Sequence, residues 1–218
     1  MSRVILVRHG QANSEAKDEA SYDRLSDLGK QQAVWLGEYL AGAAHGARRV
    51  LSGSLRRQRE TAARVAAPLG LAVEEDQRLN EIDYYGLSHS MQERHALELP
   101  TCREEFLAHM PLVMEAWSEG RIETPAETFA QYEDRVLSAL ADAEREDGTM
   151  LVTSGGIIGM AMKHVLGLDL HAFAHILLQT HNSSMHRYEV EFGQRRLVTF
   201  NATPHLDPDG RDDLRTFV

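Results

Sequence analysis

The 218-residue chain has a single cysteine, Cys102, so no disulfide can form within it and a cysteine-ligated zinc site lacks its ligands. Cations are also scarce: 23 Lys and Arg stand against 33 Asp and Glu, a net charge of −10 with histidines neutral. That balance argues against a general nucleic-acid binder and against a protein held to anionic membranes. Long apolar runs are missing too. Between Met1 and Arg8 only four consecutive residues are apolar, far short of a signal-peptide core or a membrane span. A reducing, cytoplasmic setting is the expectation. What is present is an ordinary globular composition, 43% hydrophobic and 26% charged, at a length that one folded core can occupy. No internal repeat, low-complexity tract or interdomain linker interrupts it.

Periodicity orders the chain. Val4 to Val7 reads as a buried strand running into Arg8-His9-Gly10, and Gln11 to Asp27 as loop. Ala33, Leu36, Gly37, Leu40 and Ala44 recur at helical spacing. Val50-Leu51 reads as a second strand, and Thr61 to Leu69 as a helix closed by Gly70. From about Tyr84 to Thr124 the alternation is lost, with Pro100, Pro111 and one helical piece around Phe106 to Trp117, so a mostly helical insertion is expected. Thr124-Pro125-Ala126-Glu127 reads as a helix start, with Phe129, Tyr132, Val136, Leu140 and Ala143 as its buried stripe. Met150 to Thr153 reads as a strand that turns through Ser154-Gly155-Gly156 into a helix closed by Gly167, a junction that resembles an anion site. Ser184 to Phe192 and Arg196 to Asn201 complete the set as two strands joined near Gly193-Gln194. The expected fold is one α/β domain over residues 1–218, a three-layer α/β/α sandwich with a mainly parallel sheet and an insertion at about 84–124.

Arg8-His9-Gly10 stands at the carboxyl end of the first strand, where open α/β sheets place their ligands. A histidine held in a turn can offer a neutral ring nitrogen to phosphorus while a neighbouring guanidinium grips phosphate oxygens. Three further segments follow in order. Leu25-Ser26-Asp27-Leu28-Gly29-Lys30-Gln31-Gln32-Ala33 fits the pattern L-[ST]-x-x-G-x-x-Q-A. Ser52 to Ala62, with Leu55, Arg57 and Thr61, fits S-x-x-L-x-R-x-x-[QE]-T-A, and Leu79 to Gly86 is similar to L-x-E-x-x-[FY]-G. Together these motifs, spanning nearly the whole chain, resemble the histidine phosphatase superfamily, the fold of phosphoglycerate mutases and related phosphatases.

Position by position, the resemblance implies His9 as the phosphate-accepting nucleophile, Arg8 and Arg57 as the phosphate clamp and Glu81 as general acid. Arg57 is preferred to Arg56 and Arg59 because it alone stands four residues before Thr61. The chain departs from the family at Ser154, where a phosphate-contacting histidine is usual. Ser154 is expected to bond one phosphate oxygen, helped by the amides of Gly155 and Gly156 at the helix start. Neither a metal nor an organic cofactor is implied. His171 and His175, four apart and near Asp169, lack an evident third ligand and read as surface histidines. Asn182 and Ser183 read equally as pocket rim or as turn residues, and Met160, Met162 and Trp117 as core.

The implied activity is a phosphomonoester hydrolase acting on a small phosphorylated substrate or a phosphoprotein. Two rivals remain. One is phosphoryl transfer of the phosphoglycerate mutase type, although residues 93–124 lack the basic stretch associated with a mutase's substrate cap. The other is a weakly active or inactive phospho-ligand binder, because Ser154 replaces the second histidine.

Overall fold

The computed structural model describes residues 1–13, 16, 19–43, 45–122, 126–208 and 210–217. In chain order the regular elements are β1 (Ser2–Arg8), α1 (Glu19–Tyr22), α2 (Asp27–Gly42), β2 (Arg49–Ser52), α3 (Arg56–Ala66), β3 (Val73–Glu75), α4 (Tyr84–His95) and α5 (Arg103–Ser118). Then follow α6 (Phe129–Ala143), β4 (Thr149–Thr153), α7 (Gly155–Leu166), α8 (Leu170–Gln179), β5 (Met185–Glu191) and β6 (Gln194–Ala202).

The strands form one sheet in the order β3-β2-β4-β1-β5-β6. The first four are mutually parallel, whereas β5 is antiparallel to both β1 and β6. Alternation along β1 sorts the helices into two layers, because successive side chains leave opposite faces of a strand. Ile5 and Val7 pack on one face with Leu36 and Leu40 of α2 and Val65 of α3. Val4 and Leu6 pack on the other with Val136 and Leu140 of α6, Ile158 of α7 and Tyr188. The result is the expected three-layer α/β/α sandwich. Met160 and Met162 are fully buried, and Trp117 nearly so. No described helix is long and apolar enough to cross a membrane.

Local signals explain most boundaries. Ser26 caps α2 by accepting from the Gly29 amide at 3.0 Å, and Gly167 ends α7 in the left-handed region at φ +67°. Three expectations need correction. Residues 11–27, read as loop, hold the short helix α1. The segment after Tyr84 holds two helices rather than one, and Pro111 lies inside α5, where the burial of Met110, Val113, Met114 and Trp117 outweighs the missing amide. The helix expected to open at Thr124 begins instead at Phe129. Its capping box is Thr128 with Gln131, which bond reciprocally at 3.3 and 2.8 Å; Thr124 and Pro125 lie outside the described residues. The short strand β3 carried too little pattern to be read, with only Val73 apolar among its three residues.

Two histidines are built into the β5 side of the sheet. His186 accepts from the Asn201 amide through Nδ1 at 3.1 Å, so its Nε2 carries the proton and donates to Ser184 Oγ at 3.0 Å. His205 bonds Ser183 Oγ through Nε2 at 2.8 Å. Burial pushes both down to about 3. The unfolded chain accepts these protons near pH 6.5 while the folded chain refuses them, so folding stability is fully present above pH 6.5 and declines as pH falls towards 3. The expected slope is about 1.4 kcal/mol per pH unit for each histidine. His186→Gln is expected to remove about one proton from that dependence, as urea unfolding at pH 7.5, 6 and 5 would show; an unchanged slope would place the acid sensitivity elsewhere.

Candidate active site

Parallel pairing of β1 with β4, ending at the register Arg8↔Thr153, brings the two loops that follow these strands together. The His9 amide donates to the Thr153 carbonyl at 2.9 Å, and the His9 carbonyl accepts from the Ser183 amide at 3.1 Å. Asn182 Nδ2 adds a longer contact to the same carbonyl at 3.4 Å. The two residues read either as rim or as turn therefore hold the backbone of His9. Imidazole Nδ1 lies 2.7 Å from the Gly10 carbonyl, which can only accept, so Nδ1 carries the hydrogen and Nε2 keeps its lone pair. Burial first, then the charges of Arg57 and Arg8, hold His9 well below the ordinary histidine range. The ring is neutral at physiological pH.

The motif residues without an assigned role prove to be the mounting of this loop. Thr61 Oγ1 accepts from the Gly10 amide at 3.1 Å, and Gln32 Oε1 accepts from the Gln11 amide at 2.9 Å. Gly10 and Gly29 meet backbone to backbone: a Cβ on Gly10 would stand 2.2 Å from the Gly29 carbonyl oxygen. The glycines of two motifs thus satisfy one close approach.

Of the three arginines at the start of α3, only Arg57 is buried. Arg56 pairs with Glu60 at 2.7 Å and Arg59 with Glu75 at 3.6 Å, both at the surface. Arg57 Nη1 lies 3.1 Å from Asp23 Oδ1, and its guanidinium sits 4.9 Å from the ring centroid of Tyr22. Asp23 also caps α3, accepting from the amides of Arg56 and Arg57 at 2.9 and 3.1 Å. This residue was missed, since nothing near it in sequence shows that it meets a helix 33 positions away. Arg8 is buried as well, with Nη1 donating to the Thr180 carbonyl. Its Nε is buried without a hydrogen-bond partner among the described residues and lies against Gly155, where an added Cβ would be 3.7 Å away. Burial lowers Arg8 from its ordinary value, yet a guanidinium remains cationic. Two buried guanidinium groups, one with an unused donor, make a place for an anion.

Glu81 follows the short turn Gln77–Leu79. Its Oε2 accepts from the Gly156 amide at 3.1 Å and its Oε1 from the Ile82 amide at 3.0 Å. Arg135 of α6 fixes the segment leading to it, donating through Nη1 to the carbonyls of Arg78 and Asn80 at 2.7 and 2.9 Å. A Cβ on Gly156 would stand 2.2 Å from Glu81 Oε1, so the bare glycine is what admits the carboxylate.

Two contacts at the start of α7 bear on the expected anion site. The Gly156 amide serves Glu81 rather than an open anion site. Ser154 is fully buried, and its hydroxyl accepts from Gln58 Nε2 at 2.8 Å; the cavity wall at this point is Gly155. Arg8, His9, Arg57, Glu81 and Gly155 together line one cavity of about 380 Å³. Among the described residues no cluster of three His, Cys, Asp or Glu is placed to hold a metal ion. His171 and His175 lie close on α8, with ring centroids 4.8 Å apart, while Asp169 caps that helix.

Known proteins share this architecture. A probable phosphoglycerate mutase of Salmonella paratyphi C is 29% identical over 226 aligned positions, covering 99% of this chain and all of that protein. The native structure of a mycobacterial glucosyl-3-phosphoglycerate phosphatase is 25% identical with a TM-score of 0.66, covering 93% of this chain and 99% of its own. Phosphoserine phosphatase from Entamoeba histolytica, solved with 3-phosphoglyceric acid, shares the fold at 21% identity and a TM-score of 0.69, covering 94% of this chain and all of its own. The sequence profile of the histidine phosphatase superfamily (branch 1) matches residues 4–203, and the chain belongs to that superfamily.

Proposed function

We propose that the protein is a phosphomonoester hydrolase that works through a phosphohistidine on His9, without a metal. The observation that carries this reading is a buried neutral imidazole whose Nε2 lone pair is free while Nδ1 is tied to Gly10, set in one cavity with two buried arginines and the carboxyl group of Glu81. His9 Nε2 attacks phosphorus, and the bond to the ester oxygen breaks. Arg8 and Arg57 offset the charge on the equatorial oxygens, and Glu81 gives its proton to the departing alcohol. Glu81 then takes a proton from water as the oxygen attacks phosphorus and the N–P bond breaks, which returns both residues to their starting states. Ser154 supports the site at one remove through Gln58, which also donates to the Leu79 carbonyl at 3.0 Å two residues before Glu81.

Brief incubation with a labelled aryl phosphate is expected to leave an acid-labile, alkali-stable phosphoryl group on the protein, and His9→Ala is expected to abolish it; equal labelling of the variant would remove His9 from its role. EDTA is expected to leave the rate unchanged.

Glu81→Gln is expected to slow alkyl phosphates by about 100-fold or more and aryl phosphates, whose alcohols leave readily, much less. Gly156→Ala is expected to reproduce this pattern with little loss of stability, because its methyl group displaces the far end of a flexible Glu81 side chain rather than backbone. Equal slowing of both ester classes in the two variants would take the acid role away from Glu81.

A further inference from the structure

Above the charged floor, the cavity changes character. Its walls are Tyr84, Tyr85, Leu99, Phe106, Met110 and Leu177. Tyr84 and Phe106 meet edge to face, with ring centroids 5.2 Å apart and planes at 76°, and Tyr85 stands edgewise to Tyr84 at 6.3 Å. Met110 and Leu177 belong to the buried core on this side of the sheet, so the wall continues that core. Two polar side chains at the wall are already engaged. The Tyr84 hydroxyl is 2.9 Å from His109 Nδ1, and Ser88 Oγ donates to the Tyr84 carbonyl at 2.7 Å. Among the described residues lining the cavity, the only cations are Arg8 and Arg57, and both stand beside His9.

Phosphate occupies the floor, so the alcohol portion of the ester must lie against this wall. An apolar wall gains from burying hydrocarbon and, among the described residues, offers a second anionic group no cation in exchange for its lost water. Resting on the hydrolase reading, we infer that the cavity selects phosphomonoesters of apolar alcohols, alkyl or aryl, and disfavours esters bearing a second phosphate or a carboxylate. Phosphoglycerates and phosphoserine carry such a group, as would the bisphosphorylated primer of a mutase. The specificity therefore comes from α4, the loop at Leu99 and α5, while the chemistry comes from the strand ends.

The test is phosphate release from ethyl, butyl and hexyl phosphate, whose leaving-group chemistry is nearly constant, alongside phosphoserine and 3-phosphoglycerate. The expected kcat/KM rises about fourfold for each added methylene, about 250-fold from ethyl to hexyl. Phosphoserine and 3-phosphoglycerate are expected at or below ethyl phosphate. Leu99→Arg places a cation on the wall from a loop position; it is expected to flatten the alkyl series and to raise phosphoserine turnover about tenfold. A flat or falling alkyl series in the unaltered protein, or phosphoserine or 3-phosphoglycerate hydrolysed as fast as hexyl phosphate, would overturn the inference and leave the hydrolase standing. Release from none of the five esters, together with no label on His9, would overturn both.

Discussion

One backbone hydrogen bond sets the site: the His9 amide on the Thr153 carbonyl, the last tie between β1 and β4. Because the two strands are parallel, both chains emerge in the same direction, and each must turn away at once. β1 turns through Gly10 towards α2, and β4 turns through Gly155 into α7. The space between these departures is the cavity floor. This is the physical content of the tendency of parallel sheets to bind ligands at their carboxyl edge. Here the edge is held by the side chains of Thr61 and Gln32, which take the amides of the two residues after His9.

Electrostatics at this edge run against those of the chain. A protein with a net charge of −10 gathers two guanidinium groups in its interior beside a histidine kept neutral. Buried charge is tolerated where partners replace water. Asp23 supplies one partner to Arg57, and the Thr180 carbonyl supplies another to Arg8. Arg8 Nε has none among the described residues, so the folded protein holds a desolvated donor that an anion would satisfy. The histidine stays neutral for the same reasons, and a neutral imidazole is the form able to form a bond to phosphorus.

The layers of the fold were legible because their signals are local. β1, α2, β4 and α7 each announce themselves by apolar spacing and by a Ser or Gly at an end. The residues proposed as nucleophile, clamp and acid stand in ordered motifs, and the structure brings Arg8, His9, Arg57 and Glu81 to one cavity. What stayed hidden depends on contacts across the sequence. Asp23 reaches Arg57, Gln58 engages Ser154 and Arg135 grips the segment before Glu81, and none of these pairings leaves a pattern in either partner's neighbourhood. The apolar wall was hidden for a related reason: Leu99, Phe106 and Leu177 lie in a loop and two helices whose own periodicity reports only that they are partly buried.

The Arg135 clasp has a consequence for how activity and folding are coupled. Arg135 stands on α6, after the helices of the segment that walls the cavity, yet it fixes backbone that precedes them, and it is itself held by Glu127 at 2.6 Å. A loop of more than fifty residues is thereby closed by side-chain bonds to two carbonyls. Closing a loop of that size costs conformational entropy that only a docked α6 offsets. Glu81 is therefore placed by contacts from α6 and α7, whereas His9 is placed by the pairing of β1 with β4. A chain with its sheet paired but α6 undocked would keep the His9 loop while leaving the Glu81 carboxyl group unfixed, so the two halves of the cavity floor answer to different parts of the fold.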